Sequence, residues 1–443
     1  MALSEFVVFV CAPLVAHWAL RRLFPELLAV HLWLYATVLS LAMLAMGLYS
    51  RRQRAQFIGQ MLRAMVALLA GSIVLGFVSY MVPALSFDRA VFFVAAPIAL
   101  LSVGLVRVLG QRLLDDELLR QRVLVFGVGR RASSLSTLRR RADQRGFRIV
   151  GYIHADGDRV TVPADRVVRC EPSLLAYAKH HRIDEILVAN DDRRRAFPVH
   201  ELLDCRLAGI EVTDVISFLE RETGKVWLDV MNPAWLIFST GFRRNLLRRF
   251  SARALDICAS VGLLTLAWPI MLLTAIAIKL EDGPQAPVLY RQVRVGLEGR
   301  RFHVLKFRSM RVDAEKGGKA IWAASGDSRV SRVGSFIRKV RIDELPQLLN
   351  VLVAEMSFVG PRPERPEFVE ELEHRIPYYR ERHSVKPGLT GWAQLCYSYG
   401  SSEQDAAEKL QYDLYYVKNH SLLFDLVILL QTVEVILWGK GAR

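Results

Sequence analysis

The sequence predicts three parts in one chain: a membrane α-helical bundle, a parallel α/β domain, and a small mixed α/β domain carried on a re-entrant membrane helix. Three observations predict them. Four apolar stretches open the chain within residues 1–110. A short β run then enters a Gly-x-Gly-x-x-Ala turn at Gly127, with further strand-like runs behind it. A fifth apolar stretch, 254–280, has basic residues at both ends and is followed by a strongly basic polar region. At 443 residues the chain is long enough for two or three domains. It joins 52% hydrophobic residues to a net charge of +15, as in a membrane protein with a basic cytoplasmic face. The Arg clusters stand beside apolar helices and form no nucleic-acid-binding motif, so no nucleic acid partner is expected. Five scattered cysteines with no Cys-x-x-Cys spacing indicate reduced thiols and no zinc site.

The apolar stretches run over 6–20, 27–49, 64–85 and 90–108; the second and third are long enough to span a bilayer, and the other two are near the lower limit. Arg21-Arg22 stands where a signal peptide would need small residues, so cleavage is not expected. Arg51, Arg52, Arg54 and Arg63 lie between the second and third stretches, and Arg112, Arg120 and Arg122 follow the fourth. By the positive-inside rule both ends of the bundle face the cytoplasm, although Arg21-Arg22 disagrees.

Residues 121–225 read as a Rossmann-like domain. The run Arg122 to Phe126 enters Gly127-Val128-Gly129-Arg130-Arg131-Ala132, and strands are predicted at 147–153, 183–189 and 209–213. The acidic residue expected on a ribose is not clearly placed, because Asp156 and Asp158 come late and flank Gly157. A structural or regulatory domain is favoured over a cofactor domain.

Residues 226–252 form a basic linker in which Arg243-Arg244-Asn245-Leu246-Leu247-Arg248-Arg249 suits a helix lying on an anionic membrane surface. The following stretch, 254–280, would cross once by hydropathy, with Pro269 as a kink. Its flanks say otherwise. Lys279, Arg291, Arg294, Arg300 and Arg301 make the far side as basic as the near side, so a helix that enters, bends at Pro269 and returns is expected.

The remaining chain carries the chemistry. Phe302 to Phe307 reads as a strand ending in the cationic corner Lys306-Phe307-Arg308. Asp343-Glu344 then opens a helix of about three turns, with Leu345, Leu348, Leu349 and Leu352 on one face and Pro346 in the first turn. The plain structural reading makes Asp343 a cap and Glu344 an acidic first-turn residue. Yet Arg338, Lys339 and Arg341 precede the pair, and Gly360-Pro361-Arg362-Pro363 follows the helix. Cations around a helix N-terminus suit a pyrophosphate, and paired carboxylates suit a nucleophile with a proton-handling neighbour. Lys386-Pro387-Gly388-Leu389-Thr390-Gly391-Trp392-Ala393-Gln394 is a punctuated turn, and 421–438 reads as an amphipathic helix at the membrane interface.

These motifs together resemble the bacterial sugar transferases, the monotopic polyprenyl-phosphate phosphoglycosyl transferases. The resemblance rests on Asp343-Glu344-Leu345-Pro346-Gln347, Asn350-Val351, Met356-Ser357 and Val359 to Pro363. Gln292-x-Arg294-x-Gly296, Lys306 to Met310, Lys386 to Gln394 and Tyr412-Asp413-Leu414-Tyr415-Tyr416 match as well. It covers the catalytic domain, 253–443, and extends to the first half in architecture only. Val340-Arg341 departs from the small or hydroxyl residues usual there. The tail, Lys409 to Tyr412 and Gly441-Ala442-Arg443, resembles the subgroup found with exopolysaccharide and exosortase systems.

The resemblance implies transfer of a sugar 1-phosphate from a UDP-sugar to undecaprenyl phosphate, releasing UMP, with Mg²⁺ as cofactor. It implies Asp343 as nucleophile and metal ligand, and Glu344 as its assistant. Lys306, Arg308, Arg338, Pro361, Arg362, Pro363 and Gln394 would bind substrate, and Pro269 would break the re-entrant helix. Expected partners are the two substrates and membrane lipids, with a homodimer left open. The expected location is the bacterial inner membrane, with the catalytic domain in the cytoplasm. Two other classes compete. A nucleotide-sugar oxidoreductase would need Tyr-x-x-x-Lys, and the nearest match, Tyr177 to His181, ends in His. A membrane scaffold would leave the Lys306, Asp343 and Arg362 motifs unexplained.

Overall fold

Helices form over all four opening stretches: α1 (Ala2–Ala19), α2 (Leu28–Ala45), α3 (Phe57–Met81) and α4 (Arg89–Leu113). The computed structural model describes residues 2–21, 28–49, 57–85, 88–113, 120–137, 146–155, 158–191, 197–229, 246–310, 329–397, 400 and 402–438. Arg51, Arg52, Arg54, Asp156 and Arg243 to Asn245 lie outside them. The chain divides into two compact units, Met1–Thr223 and Gly224–Arg443.

In the first unit the helical bundle buries small residues beside large ones such as Phe9, Tyr35, Leu39 and Met43, and leaves other large apolar residues on its outside. Ala12, Ala16, Ala36, Ala64 and Ala99 are buried, whereas Trp18, Trp33, Phe77 and Phe93 are exposed. Buried alanines and exposed large apolar side chains suit a bundle solvated by lipid, where close backbone approach drives packing. α1, α3 and α4 are long and apolar enough to cross a membrane, and the apolar part of α2 falls slightly short. A buried ion pair at 2.8 Å joins Glu5 at the start of α1 to Arg107 near the end of α4, so the bundle begins and ends on one side.

The α/β domain follows. Strands β1 (Gln121–Phe126), β2 (Phe147–Ile153), β3 (Val167–Val168), β4 (Glu185–Val188) and β5 (Glu211–Asp214) make one sheet in the order β3-β2-β1-β4-β5. All pairings are parallel. Between them run α5 (Arg130–Ser133), α6 (Leu174–His180) and α7 (Val199–Leu207), with α8 (Val215–Thr223) last. Val123 to Phe126 and Ile186 to Val188 are buried without alternation, as expected of strands covered on both faces.

The second unit is built on α9 (Leu246–Asp282), a helix of 37 residues. Helix is assigned through Pro269, and it starts well before 254. The basic residues Arg248, Arg249 and Arg253 are therefore its first turns, continuous with the apolar stretch. Much of its surface is open: Leu266 is 77% exposed and Leu280 82%. Next come the antiparallel hairpin β6 (Leu289–Val295) and β7 (Arg301–Phe307), then α10 (Arg332–Lys339) and α11 (Gln347–Leu352). A parallel pair, β8 (Ser357–Val359) and β9 (Gly388–Thr390), brackets α12 (Pro366–Arg375). The unit ends in α13 (Trp392–Cys396), α14 (Glu403–Asn419) and α15 (Leu422–Trp438). Its core joins Phe302 and Val304 of β7 to Leu348 and Val351 of α11, Phe358 and Val359 of β8, Tyr416 and Ile428.

α15 occupies the segment read as an interfacial amphipathic helix, but two of its polar residues turn inward. Asp425 is buried and accepts a 2.8 Å hydrogen bond from the Tyr416 hydroxyl, and Thr432 bonds Thr390. A buried carboxylate needs a donor, and the hydroxyl of Tyr416 supplies one.

Candidate active site

The carboxylate pair sits on a 3₁₀ turn, Ile342–Glu344, between α10 and α11. Arg341 opens this turn with φ 61°, an uncommon conformation for a residue with a side chain. The expected three-turn helix is thus split: a 3₁₀ turn carries the acids, and α11 begins after Pro346. Arg341 and Pro346 are the N-cap residues of the turn and of α11, and among the described residues Asp343 makes no capping hydrogen bond, so its carboxylate is not spent on a helix end.

Three cations converge on Glu344. Its Oε1 lies 3.2 Å from Arg362 Nη2, 3.5 Å from Lys306 Nζ and 3.6 Å from Arg341 Nη1. Burial alone would raise its pKa, but the attraction of Arg362, Lys306 and Arg341 outweighs burial and holds it at about 2. Burial likewise pulls the Lys306 ammonium below its usual range, with Glu344 opposing. Asp343 stands in another field. It is 8% exposed and makes no ion pair within 4.0 Å among the described residues. Burial raises its carboxyl above the ordinary Asp range and Glu344 adds to this, while Lys306, Arg338 and Arg341 oppose. The turn therefore holds one cation-locked carboxylate, ionised at neutral pH, beside one more basic and unpinned carboxylate.

Neighbouring elements fix this arrangement. Asn350 of α11 accepts from Leu305 N and donates to His303 O, which locks the dyad helix to the strand carrying Lys306. Near the start of α9, Arg253 donates to Val351 O at 2.7 Å and to Leu352 O, capping α11. Asp256 accepts from Ser357 Oγ and Phe358 N, both at 2.9 Å. At the other end of α9, Glu281 accepts from Arg332 N and Val333 N and caps α10. Both ends of the apolar helix are tied to the segments flanking the dyad.

The Pro-Arg-Pro loop is held by its backbone. A Cβ on Gly360 would fall 2.3 Å from Lys386 O, and one on Gly391 2.2 Å from Gly360 O, so glycine is needed where the loop meets the Lys386 to Gln394 turn. Pro361 and Pro363 are buried, with their carbonyls taken by Gly388 N and Arg294 Nη1. They shape the loop, while Arg362 alone reaches the acids.

Of the residues expected to bind substrate, the structure gathers Lys306 and Arg362 on Glu344, with Arg338 acting on Asp343 through space. Arg308 and Gln394 do not touch the dyad among the described residues; Arg308 Nε and Gln394 Oε1 are buried without hydrogen-bond partners. Sequence reasoning named Arg341 only among the cations before the dyad, and Arg294 only within a motif, and assigned neither a contact in the site. Arg294 was visible as a motif letter, but its partner Pro363 is far off in sequence. Among the described residues no three His, Cys, Asp or Glu side chains gather into a metal cage. Mg²⁺ in phosphoryl transfer needs only one or two carboxylates plus substrate phosphates, and the unpinned Asp343 fits that lesser demand.

Residues 247–439 match the model of the bacterial sugar transferase family, and 44–192 match that of a CoA-binding domain. The chain is 32% identical over 335 residues to a UDP-glucose:undecaprenyl-phosphate glucose-1-phosphate transferase of Xanthomonas campestris, covering 73% of this chain and 68% of that one. The chain belongs to the bacterial sugar transferase family. It is also 43% identical over 242 residues to a UDP-N-acetylgalactosamine-undecaprenyl-phosphate N-acetylgalactosaminephosphotransferase of Aeromonas hydrophila, covering 55% of this chain and 56% of the other. With the UDP-glucose:undecaprenyl-phosphate glucose-1-phosphate transferase of Escherichia coli it shares 35% identity over 297 residues, 65% and 61% of the two chains. The chain thus spans between about half and two thirds of these relatives' lengths.

The glycine turn of this bacterial sugar transferase does not fit the pyrophosphate of coenzyme A. The amides that would hold phosphate are already bonded to the protein's own carboxylates. Val128 N donates to Asp158, Arg130 N and Arg131 N donate to Asp191, and Asp191 N donates back to Asp158. A Cβ on Gly129 would lie 2.2 Å from Asp191 Oδ2, so the glycine serves this internal contact. The same blocked turn, with His181 in the lysine position, leaves the oxidoreductase reading without support.

Proposed function

We propose that this protein transfers a sugar 1-phosphate from a UDP-sugar to undecaprenyl phosphate, giving undecaprenyl-diphospho-sugar and UMP. This would be the first membrane step of exopolysaccharide or other glycoconjugate assembly. One observation carries the reading: adjacent carboxylates are held differently, Glu344 locked by three cations and Asp343 buried, more basic and unpinned. A symmetric structural pair would not need that division.

In the first half-reaction an Asp343 oxygen attacks the phosphorus that bears the sugar. The bond from that phosphorus to the bridging oxygen breaks, UMP leaves with the electron pair, and an aspartyl-phosphosugar remains on Asp343. In the second, an oxygen of undecaprenyl phosphate attacks the same phosphorus and the Asp343 carboxylate departs. Lys306, Arg341 and Arg362, ordered by Glu344, lie where they offset the charge of the substrate phosphates. Glu344 was expected to assist proton removal from the acceptor phosphate or to position the metal. A carboxylate held at about 2 is a poor base, and a phosphate monoester with a second pKa near ~6 is already largely a dianion at neutral pH. Organising the cations is the role that fits Glu344. Mg²⁺, held by Asp343 and the substrate phosphates, would supply further neutralisation of the phosphate oxygens.

The apolar helix α9 enters the bilayer, bends at Pro269 and returns, leaving the site on the cytoplasmic side of the bacterial inner membrane. Support comes from its two ends, where Arg253 and Glu281 both bind the same small polar domain. A helix crossing the bilayer would place those ends on opposite sides. The test is a screen of UDP-sugars with the full chain in detergent, undecaprenyl phosphate and Mg²⁺, reading UMP release. Acceptor-dependent UMP from one UDP-sugar is the expected result; no UMP from any of them overturns the reading.

A further inference from the structure

We propose that Arg382, paired with Asp413, is a positioning residue that aims Arg362 at the carboxylate pair. The inference rests on the proposed transfer reaction and extends it to a buried ion pair with no direct contact to the dyad. Arg382 lies on the 3₁₀ turn Tyr379–Ser384 and is 5% exposed. Its Nη2 donates to the backbone carbonyl of Arg362 at 3.0 Å and sits 2.8 Å from Asp413 Oδ2. Its Nη1 donates to the Tyr379 hydroxyl at 2.6 Å. One rigid guanidinium thus fastens three elements at the residue whose side chain reaches Glu344.

The loop is clamped almost carbonyl by carbonyl. Val359 O accepts from the Tyr416 hydroxyl at 3.1 Å, Pro361 O from Gly388 N, Arg362 O from Arg382 and Pro363 O from Arg294. Asp413 and Tyr416 stand three residues apart, on one face of α14. Helix α14 therefore grips the loop twice, directly through Tyr416 and indirectly through the Asp413–Arg382 pair. Burying a guanidinium is costly unless it is paired, and a fold wanting only stability could fill this place with apolar side chains. The planar guanidinium does what those cannot: Nη2 donates to a backbone oxygen and lies against a carboxylate while Nη1 donates to the Tyr379 hydroxyl.

The experiment combines Arg382→Lys, Asp413→Asn and Arg362→Ala in the full-length protein in detergent. Lysine keeps the charge and loses the fork. Arg382→Lys and Asp413→Asn are each expected to lower kcat/KM for the UDP-sugar by about 10- to 100-fold, as misplacement of a site group by about 1 Å does. In the Arg362→Ala background Arg382→Lys should cost no more than about twofold, because the group it positions is gone. Costs that multiply in the double variant would place the action of Arg382 elsewhere and overturn the proposal. A second readout is independent of turnover: hydrogen exchange of peptides covering residues 358–368. It should speed up in both single variants while peptides from β6 and β7 stay unchanged. Unchanged exchange in 358–368 overturns the clamp even if the wild type releases no UMP, a result that would separately sink the transfer reaction.

Discussion

Asp343 and Glu344 are neighbours in sequence, and the difference between them is created entirely by what surrounds each side chain. Lys306, Arg341 and Arg362 lock Glu344, so Glu344→Gln removes the carboxylate these cations share and should lower stability by about 3 kcal/mol. Asp343 has no such tie, so Asp343→Asn should melt like the wild type. It should nevertheless lose turnover by about 10³-fold or more. It should also lose exchange of labelled UMP into UDP-sugar without acceptor, which needs only the first half-reaction. Exchange at the wild-type rate would remove Asp343 from the covalent role. A second prediction concerns His383. Burial, aided by Arg382 and Arg380, pushes its pKa down to about 3, so the folded protein keeps it neutral. The unfolded chain protonates it near its ordinary 6.5, so its contribution is complete above that pH and is lost as pH falls toward 3. By pH 5 the loss is about 2 kcal/mol. His383→Met should flatten the acid limb of the melting curve; parallel pH profiles for variant and wild type would refute this.

At the scale of elements, α9 combines two jobs that sequence patterns usually separate. Its exposed Leu and Trp residues address lipid, while Arg253, Asp256 and Glu281 bind the ends of α11, β8 and α10. Membrane insertion and the dyad's geometry therefore share one helix. Re-entry predicts that single cysteines at Leu246 and Gln285, in a background lacking the five native cysteines, react with an impermeant maleimide from the same side of sealed vesicles. Labelling from opposite sides would make α9 an ordinary span. Leu246 and Gln285 are both exposed and outside the caps, so label access is not limited by packing.

For the whole molecule, the boundary between the two units falls at Gly224, and the irregular segment 224–229 after α8 belongs to the second unit. Trp392 Nε1 donates to Gly224 O at 2.7 Å, Lys225 pairs with Glu408 at 2.8 Å, and Val226 N bonds Gln411 O. A truncated chain beginning at Gly224 should therefore keep transferase activity in detergent within about threefold of the full chain. One beginning at Asn232 removes these partners and leaves the Glu408 and Trp392 polar groups unmet, so it should melt about 2 kcal/mol less stable. Equal stability of the two would show that residues 224–231 contribute nothing.

The sequence by itself determined the parts. Apolar length marked the helices, unbroken apolar runs marked β1 and β4, and the linear motifs marked Asp343, Glu344, Lys306 and Arg362, because each of these signals lies within a few residues. What only the tertiary structure decided depends on residues far apart in the chain. Arg341 was legible as a cation, but not that a left-handed turn would swing it onto Glu344. The Gly127 turn read as a nucleotide fingerprint, since nothing local revealed that Asp158 and Asp191 would take its amides. The capping role suggested for Asp343 failed for the same reason: a 3₁₀ turn and Pro346 separate it from α11. Asp413 was legible only as a letter of the Tyr412 to Tyr416 motif and Arg382 not at all, because their pairing beneath the Arg362 carbonyl joins segments far apart in the chain. Periodicity reports which face of an element is apolar; the field at a carboxylate is summed over every element that packs against it, and that sum exists only in three dimensions.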